Sequence, residues 1–454
     1  MLGNIEKISV SEILAATGGR LIFGDENKFA ESISTDSREM GKNCIYIPIK
    51  GEKFDGHTFF DGALKNGAVG YLTQNGENLS GFEFGIKVCD TKKALGDIAR
   101  AYRKKFKADV IALTGSVGKT TTKEFVAAVL AKRFTTIKTK ANYNNDIGLP
   151  FTVFSLNSNT EKAVIEMGMS NFGEISYLTN IACPDAAIIT NIGTSHIEFL
   201  KSREGILKAK CEIFDGLKKG GTAFLNGDDD LLQTLKGKLD FKTVFFGIAN
   251  ENCDICAKNL KLYPEKTEFE ISGEKFVINL PGKHNVYNAL CAYATAKMFG
   301  MTNEEIRSGL LSYKSDGIRQ SILEVNGAKI LNDCYNSSPQ AAMASIDVLK
   351  SLTDGRKIAV LGDMAELGEN SEKYHREVGA YFAKCGCDIL ITLGNAARFI
   401  ADEAQKCGVK SENVFLFSNN KEVSDFLKTL LQNGDAVLIK GSHCMKMDEI
   451  FKNI

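Results

Sequence analysis

An apolar, partly β-branched run, Val110-Ile-Ala-Leu113, leads within two residues into Gly115-Ser-Val-Gly118, then Lys119-Thr120 and a helix-forming stretch over 124–131. Few structures accept that order. A strand, a glycine turn, Lys-Thr and a helix build a phosphate-binding loop: the glycines let backbone N–H groups close around phosphate oxygens, and the helix N-terminus adds partial positive charge. On this reading Gly115, Ser116, Val117, Gly118, Lys119, Thr120 and Thr121 cradle a nucleotide. Lys119 reaches the β- and γ-phosphates, and the Thr120 hydroxyl holds Mg²⁺. The G-x-x-G-K-T spacing is shorter than the common form. An ordinary strand–helix turn is the competing reading, and Lys-Thr at the start of the helix weighs against it.

A chain of 454 residues allows roughly three domains. Basic and acidic side chains number 56 each, so no charge excess argues for nucleic acid. The first residues lack the basic-then-apolar build of a signal peptide, and no apolar run reaches the ~18 residues of a membrane span. Both features point to a soluble cytoplasmic protein. The 12 cysteines show no disulfide framework and are expected to be reduced. Cys253-x-x-Cys256 and Cys385-x-Cys387 each supply only half a zinc site and are expected to be structural.

Pattern changes divide the chain into a first unit over 1–84, a joining helix within 85–106, a nucleotide unit over 107–314 and a third unit over 315–454. The first unit holds a capped helix after Ser9, a strand over 44–49 and a helix over 59–65. The second alternates strands (162–166, 186–190) with helices, the signature of a doubly wound parallel sheet covered on both faces. Within it, 203–217 reads as a helix, 241–280 as an antiparallel patch, and 285–299 as a helix. The third unit is a second α/β domain with strands near 329–331, 358–361, 389–392, 414–417 and 436–439. The basic end of the joining helix reads as a solvated face.

Candidate site residues follow from placement. Open α/β sheets bind ligands at the C-terminal ends of their strands. Glu166 ends one strand and suits a hard cation bridging phosphates. His196 lies on the same rim, after the next strand. Lys208 and Lys210 read as surface lysines on a helix. Asn285 and Asn288 open a helix with two amides that match the donor and acceptor edge of adenine. Arg319, in Asp316-Gly-Ile-Arg319, and Asp333 come from the third unit, where closure brings them to the nucleotide. Ser37, Arg38, Asp55 and His57 are polar groups at strand and loop ends.

Together these motifs resemble the Mur ligase family, the ATP-dependent amide-forming enzymes of peptidoglycan precursor synthesis. The resemblance covers the chain in the family's order: Thr114–Glu124, Asn144-Asn-Asp-Ile-Gly-Leu-Pro150, Glu166-Met-Gly, His196, Lys210, His284-Asn285-x-x-Asn288 and Arg319. Asp333-Cys-Tyr-Asn-Ser-Ser-Pro339, Leu361-Gly-Asp-Met-Ala-Glu-Leu-Gly368 and His375-Arg-Glu-Val-Gly379 are similar to the branch acting on UDP-N-acetylmuramoyl-tripeptide and D-alanyl-D-alanine. The resemblance implies a three-domain α/β architecture: a small N-terminal UDP-sugar-binding domain, a central P-loop parallel-sheet domain and a C-terminal Rossmann-like domain. It implies ATP and Mg²⁺ as cofactors, with Thr120, Glu166, His196 and a carbamylated Lys210 at the metal. Lys119, Lys210, His196 and Arg319 are then catalytic. Asn285 and Asn288 contact adenine, Arg319 a phosphate and Asp333 the ribose. Ser37, Arg38, Asp55, His57 and Asn145 contact substrate, and Lys440-Gly-Ser442 lies near the substrates. A monomer is expected. A sister ligase adding another amino acid, or a nucleotide-binding regulatory module, stays open as an alternative.

Overall fold

The computed structural model describes residues 1–313 and 319–454, so the expected boundary at 314/315 and Asp316 lie outside the described residues. Three sheets, each covered by helices, stack along the chain. The first orders its strands Leu2–Ser9, Phe29–Ser34, Cys44–Tyr46, Ala68–Thr73, Phe84–Lys87, Arg20–Phe23. The expected unit over 1–84 therefore stops short: strand Phe84–Lys87 pairs in parallel with Ala68–Thr73 and belongs to this sheet. Ser9 caps helix Val10–Thr17 through a reciprocal capping box with Glu12. The strand expected over 44–49 is shorter, Cys44–Tyr46.

Helix Thr91–Arg103 ties the first sheet to the second. Its Tyr102 hydroxyl accepts from Glu6 N at 2.8 Å and donates to Leu156 O at 2.9 Å. Arg103, expected on a solvated face, is buried and donates to the carbonyls of Ala182, Phe106 and Ala108. Each carbonyl satisfies part of a guanidinium that burial would otherwise leave costly.

The central sheet has nine strands, and Asp109–Thr114 lies among its parallel members. On one side it pairs with Lys162–Glu166 and on the other with Ala186–Ile189. Alternate residues feed opposite cores. Ile111 and Leu113 pack with Phe125, Val126, Val286 and Leu290, while Val110 and Ala112 join the core beneath the joining helix. This double covering is why the strands read as unbroken apolar runs.

The antiparallel patch expected over 241–280 begins later. Lys242–Gly247 runs parallel to Thr222–Asn226, and only Ile255–Leu262, Thr267–Ile271 and Glu274–Ile278 form antiparallel pairs. Thr267–Ile271 alternates buried with half-buried residues, as a one-sided sheet requires, and turns at Ser272-Gly273, both at positive φ. The helix expected over 203–217 ends at Cys211 and continues as a 3₁₀ turn, Glu212–Gly216.

The third sheet orders Ser321–Val325, Ala328–Asn332, Ala436–Lys440, Lys357–Gly362, Ile389–Leu393, Val414–Phe417 and is parallel after its first, antiparallel pair. All 12 cysteines are free, and no described helix is long and apolar enough to cross a membrane.

Candidate active site

The sheet order places three loops side by side. Thr114 leads into the glycine turn, Glu166 ends the neighbouring strand in register with Leu113, and Ile189 on the other side pairs with Thr114 before the 190–196 loop. Glu166 and His196 thus flank the glycine turn from opposite sides.

The turn itself is held open by side chains from the 190–196 loop. Asn191 Oδ1 accepts from Val117 N at 2.9 Å, and Asn191 Nδ2 and Thr190 Oγ1 donate to Val117 O at 2.9 and 2.7 Å. Ser116 Oγ accepts from Gly193 N at 2.9 Å. Glycine is required at both ends. Gly115 has φ 154°, and a Cβ there would stand 1.8 Å from Thr190 Oγ1; Gly118 has φ 83°, and its Cβ would stand 2.7 Å from Asn288 Oδ1. Helix Lys119–Leu130 starts directly after Gly118, aiming its free N–H groups at the turn. Lys119 Nζ donates to Gly115 O at 2.9 Å, folding back across the loop. Burial lowers its pKa, the Glu166 carboxylate opposes that shift, and the Arg319 guanidinium adds to it.

Glu166 is 2% exposed. Its Oε1 accepts from Asn144 Nδ2 at 2.9 Å, and the fully buried Lys123 ammonium lies 3.7 Å from its Oε2. Oε2 is buried without a hydrogen-bond partner. An orphaned carboxylate oxygen beside a phosphate cradle suits a hard cation, and Mg²⁺ completes its shell largely from phosphates and water. No cluster of three His, Cys, Asp or Glu side chains able to hold a metal occurs among the described residues. Lys208 is exposed as expected, but Lys210 is 1% exposed, which corrects the surface reading. Burial, reinforced by the nearby Lys119 ammonium, pushes the Lys210 pKa well below the usual lysine value.

The third sheet reaches this centre at several points. The Arg319 guanidinium lies 3.6 Å from the Tyr335 ring centroid. Asp333 Oδ2 accepts from Lys440 Nζ and from Ser345 Oγ, both at 2.6 Å, which fixes the carboxylate at the sheet edge. The Gln340 amide oxygen accepts from Thr194 Oγ1 at 3.0 Å. Glu366 Oε2 lies 2.5 Å from His196 Nδ1.

The paired asparagines are engaged by protein rather than presented to open space. Thr122 Oγ1 donates to Asn288 Oδ1 at 3.0 Å, and Asn288 Nδ2 donates to Asn285 Oδ1 at 3.1 Å. Asn285 Nδ2 donates to Pro281 O at 2.8 Å and to Gln320 Oε1 at 2.7 Å. In this geometry they brace the phosphate loop.

In the first unit Asp55 caps the short helix Gly56–Phe59, with His57 Nδ1 2.6 Å from its carboxylate; His57 Nε2 is buried and unpartnered. Arg38 is exposed and forks onto Asp36, and Ser37 O accepts from Asn66 Nδ2. Asn145 Oδ1 accepts from Gly148 N, so it shapes the loop while its neighbour Asn144 meets Glu166. Asn144, Lys123, Gln340 and Glu366 were not singled out from sequence. Each stands inside or beside a motif, but only the fold shows what it touches.

Family models match three segments: the Mur ligase family, catalytic domain over 30–103, the Mur ligase middle domain over 113–296 and the Mur ligase, glutamate ligase domain over 319–443. A UDP-N-acetylmuramoyl-tripeptide--D-alanyl-D-alanine ligase of Bacillus subtilis is 40% identical over 434 residues, 94% of each chain. The crystal structure of MurF from Acinetobacter baumannii superposes with a TM-score of 0.90 at 29% identity, covering 99% of each chain. MurF ligase from Thermotoga maritima in complex with ADP superposes with a TM-score of 0.82 at 30% identity, covering 92% of this chain and 96% of that one. The chain belongs to the Mur ligase family.

Proposed function

We propose that the chain joins D-alanyl-D-alanine to UDP-N-acetylmuramoyl-tripeptide at the expense of ATP. The products are UDP-N-acetylmuramoyl-pentapeptide, ADP and phosphate, in the synthesis of peptidoglycan precursors. The protein acts as a cytoplasmic monomer, with the first unit, which runs through strand Phe84–Lys87, holding the UDP-sugar, the central unit the ATP and the third unit the incoming dipeptide. The observation that carries the reading is the convergence of the Gly115–Gly118 cradle, the orphaned Glu166 Oε2 and the buried Lys210, which lies close enough to feel the Lys119 charge.

In the first step a terminal carboxylate oxygen of the tripeptide attacks the γ-phosphorus, the bond to the β-bridging oxygen breaks, and ADP leaves. Lys119 and the loop N–H groups offset the charge that gathers on the phosphoryl oxygens, and Arg319 supplies a second cation from the third unit. Thr120, Glu166, His196 and Lys210 would hold Mg²⁺, which would supply further charge neutralisation to the phosphoryl transfer. Burial and the Lys119 charge favour the neutral form of the Lys210 amine, whose nitrogen attacks CO₂: an N–C bond forms, one proton departs, and the carbamate becomes an anionic oxygen donor. In the second step the dipeptide amine attacks the acyl carbon, loses a proton, and the C–O bond to phosphate breaks. Asp333 faces the ribose, and Asn285 and Asn288 border the adenine. Ser37, Arg38, Asp55, His57 and Asn145 serve the UDP-linked substrate. Acyl phosphates hydrolyse readily, so docking of the third unit across the rim protects the intermediate from water.

The test is phosphate release with ATP, Mg²⁺ and UDP-N-acetylmuramoyl-tripeptide, with and without D-alanyl-D-alanine. Release that needs every component, with a product heavier by one dipeptide unit, supports the proposal. Folded Lys119→Ala protein is expected to lose turnover by orders of magnitude. Release indifferent to the dipeptide overturns the acceptor assignment.

A further inference from the structure

The 361–368 motif in the third unit is held unusually firmly for a loop, and it ends on a side chain that the mechanism above does not use. Asp363 Oδ1 accepts from Ala397 N at 2.6 Å, and Asp363 O accepts from Ser442 N at 3.1 Å. Met364 N donates to the buried His375 Nε2 at 3.0 Å, and Ala365 N donates to Ser442 Oγ at 2.8 Å. His375 Nδ1 in turn stands 2.7 Å from Ser371 O, so the imidazole accepts with one nitrogen and donates with the other. Glu366 follows in a left-handed conformation, φ 62°, and its carbonyl accepts from Glu198 N on the central unit at 3.2 Å. Across that junction His196 is also left-handed, φ 63°, and its buried Nδ1, which has no aligned hydrogen-bond partner, stands 2.5 Å from Glu366 Oε2 as an ion-pair contact. Two non-glycine residues in the left-handed region, facing each other from different domains, mark a geometry that the surrounding contacts impose.

We propose that Glu366 is a positioning residue for His196. The carboxylate stands against the otherwise unpartnered Nδ1, and a small turn of the ring lets it accept the Nδ1 proton, which fixes the imidazole in one tautomer and leaves the Nε2 lone pair for the cation side of the nucleotide site. The residue that orients this imidazole belongs to the third unit. His196 is therefore set only when that unit is docked, and domain docking and completion of the phosphate site become one event. His375 and Ser442 act behind Glu366 by fixing its loop. The inference rests on the proposed placement of His196 at the nucleotide. The Glu366 side chain is 42% exposed, so its loss removes an orienting partner without opening a core.

The experiment uses the full chain with ¹⁵N-labelled histidine; there are only 5 to assign. At pH 8 free imidazole is neutral. The expected wild-type spectrum has His196 as the Nδ1–H tautomer, and Glu366→Ala loses that preference. Mn²⁺ binding in the presence of ADP, read by electron paramagnetic resonance, is expected to weaken about 10–100-fold in Glu366→Ala, the usual range for a lost orienting partner. Glu366→Gln, which still offers an acceptor oxygen, stays within a few-fold of wild type, and both variants melt close to wild type. An Nε2–H tautomer in the wild type overturns the proposal, as does unchanged Mn²⁺ affinity in Glu366→Ala. Equal losses in both variants with a clearly lowered melting temperature would assign a merely structural role. Tautomer and Mn²⁺ readouts need no ligation, so their failure is separable from failure of the acceptor assignment, which the phosphate-release assay reads.

Discussion

Gly118→Ala tests the phosphate loop where backbone and side-chain constraints coincide. Its φ of 83° places an L-residue in the left-handed region, at about 1–2 kcal/mol. The new methyl would stand 2.7 Å from Asn288 Oδ1, inside van der Waals contact. Asn288 is poorly placed to retreat, since it is 6% exposed and held by Thr122 and Asn285. Displacing it sacrifices at least one buried hydrogen bond, about 1–2 kcal/mol with the Thr122 hydroxyl left unmatched. The sum is about 2–4 kcal/mol, and for a unit near 200 residues this lowers the melting transition by roughly 4–16 °C. Tilting the loop N–H groups also weakens ADP binding, by an expected order of magnitude in titration calorimetry. In an Asn288→Ala background the clash is absent, so the same substitution costs only the backbone part. A scanning-calorimetry cycle should show coupling of about 1 kcal/mol or more. Equal increments in the two backgrounds, or unchanged ADP affinity in the single variant, would refute the reasoning.

Lys123→Met removes the ammonium that lies 3.3 Å from Glu124 and 3.7 Å from Glu166, leaving a buried carboxylate uncompensated. A loss of about 3–5 kcal/mol is expected in denaturant titration, and adding Glu166→Gln should restore more than half of it. His375 and His284 are held below the usual imidazole pKa by burial. The unfolded chain therefore takes up their protons first, so their contribution is complete above about pH 6.5 and is lost as pH falls below it. Melting temperatures between pH 8 and 5 should show that decline, and His375→Gln should lessen it. Arg38→Ala should leave the melt unchanged while raising KM for the UDP-linked substrate about tenfold, the worth of one charge-assisted hydrogen bond; a fall in kcat with unchanged KM would remove Arg38 from the substrate group.

The features legible in the sequence are those whose cause is local. A strand covered on both faces is written as an unbroken apolar run, so 109–114, 162–166 and 186–189 lie close to where the pattern put them. The phosphate loop announces itself through glycines at positive φ and a Lys-Thr helix start. Lys210 shows the limit. Arg203–Cys211 is a short amphipathic helix, and nothing in its spacing says that Lys210 turns inward while Lys208 turns out. The strand at 242–247 is parallel although its residues suggest the antiparallel patch, because Phe245 and Phe246 fit either sheet type; only pairing with Thr222–Asn226 decides.

Partners that meet across domains carry no such signal, and they are the ones that complete the site. Thr194 and Gln340 are 146 residues apart, and their contact exists only because the central and third units dock. The physical consequence runs from fold to function. The central sheet alone supplies phosphate N–H groups, Lys119 and an orphaned carboxylate oxygen, enough to hold a nucleotide. Arg319, which we propose as the second cation at the phosphates, and Glu366, which faces the His196 ring, belong to the third unit. A site divided this way is incomplete while open, when water would consume an acyl phosphate, and assembled when closed. On the proposed mechanism, division of the site between domains would protect the intermediate, and it hides half of the site from any reading confined to neighbours in sequence.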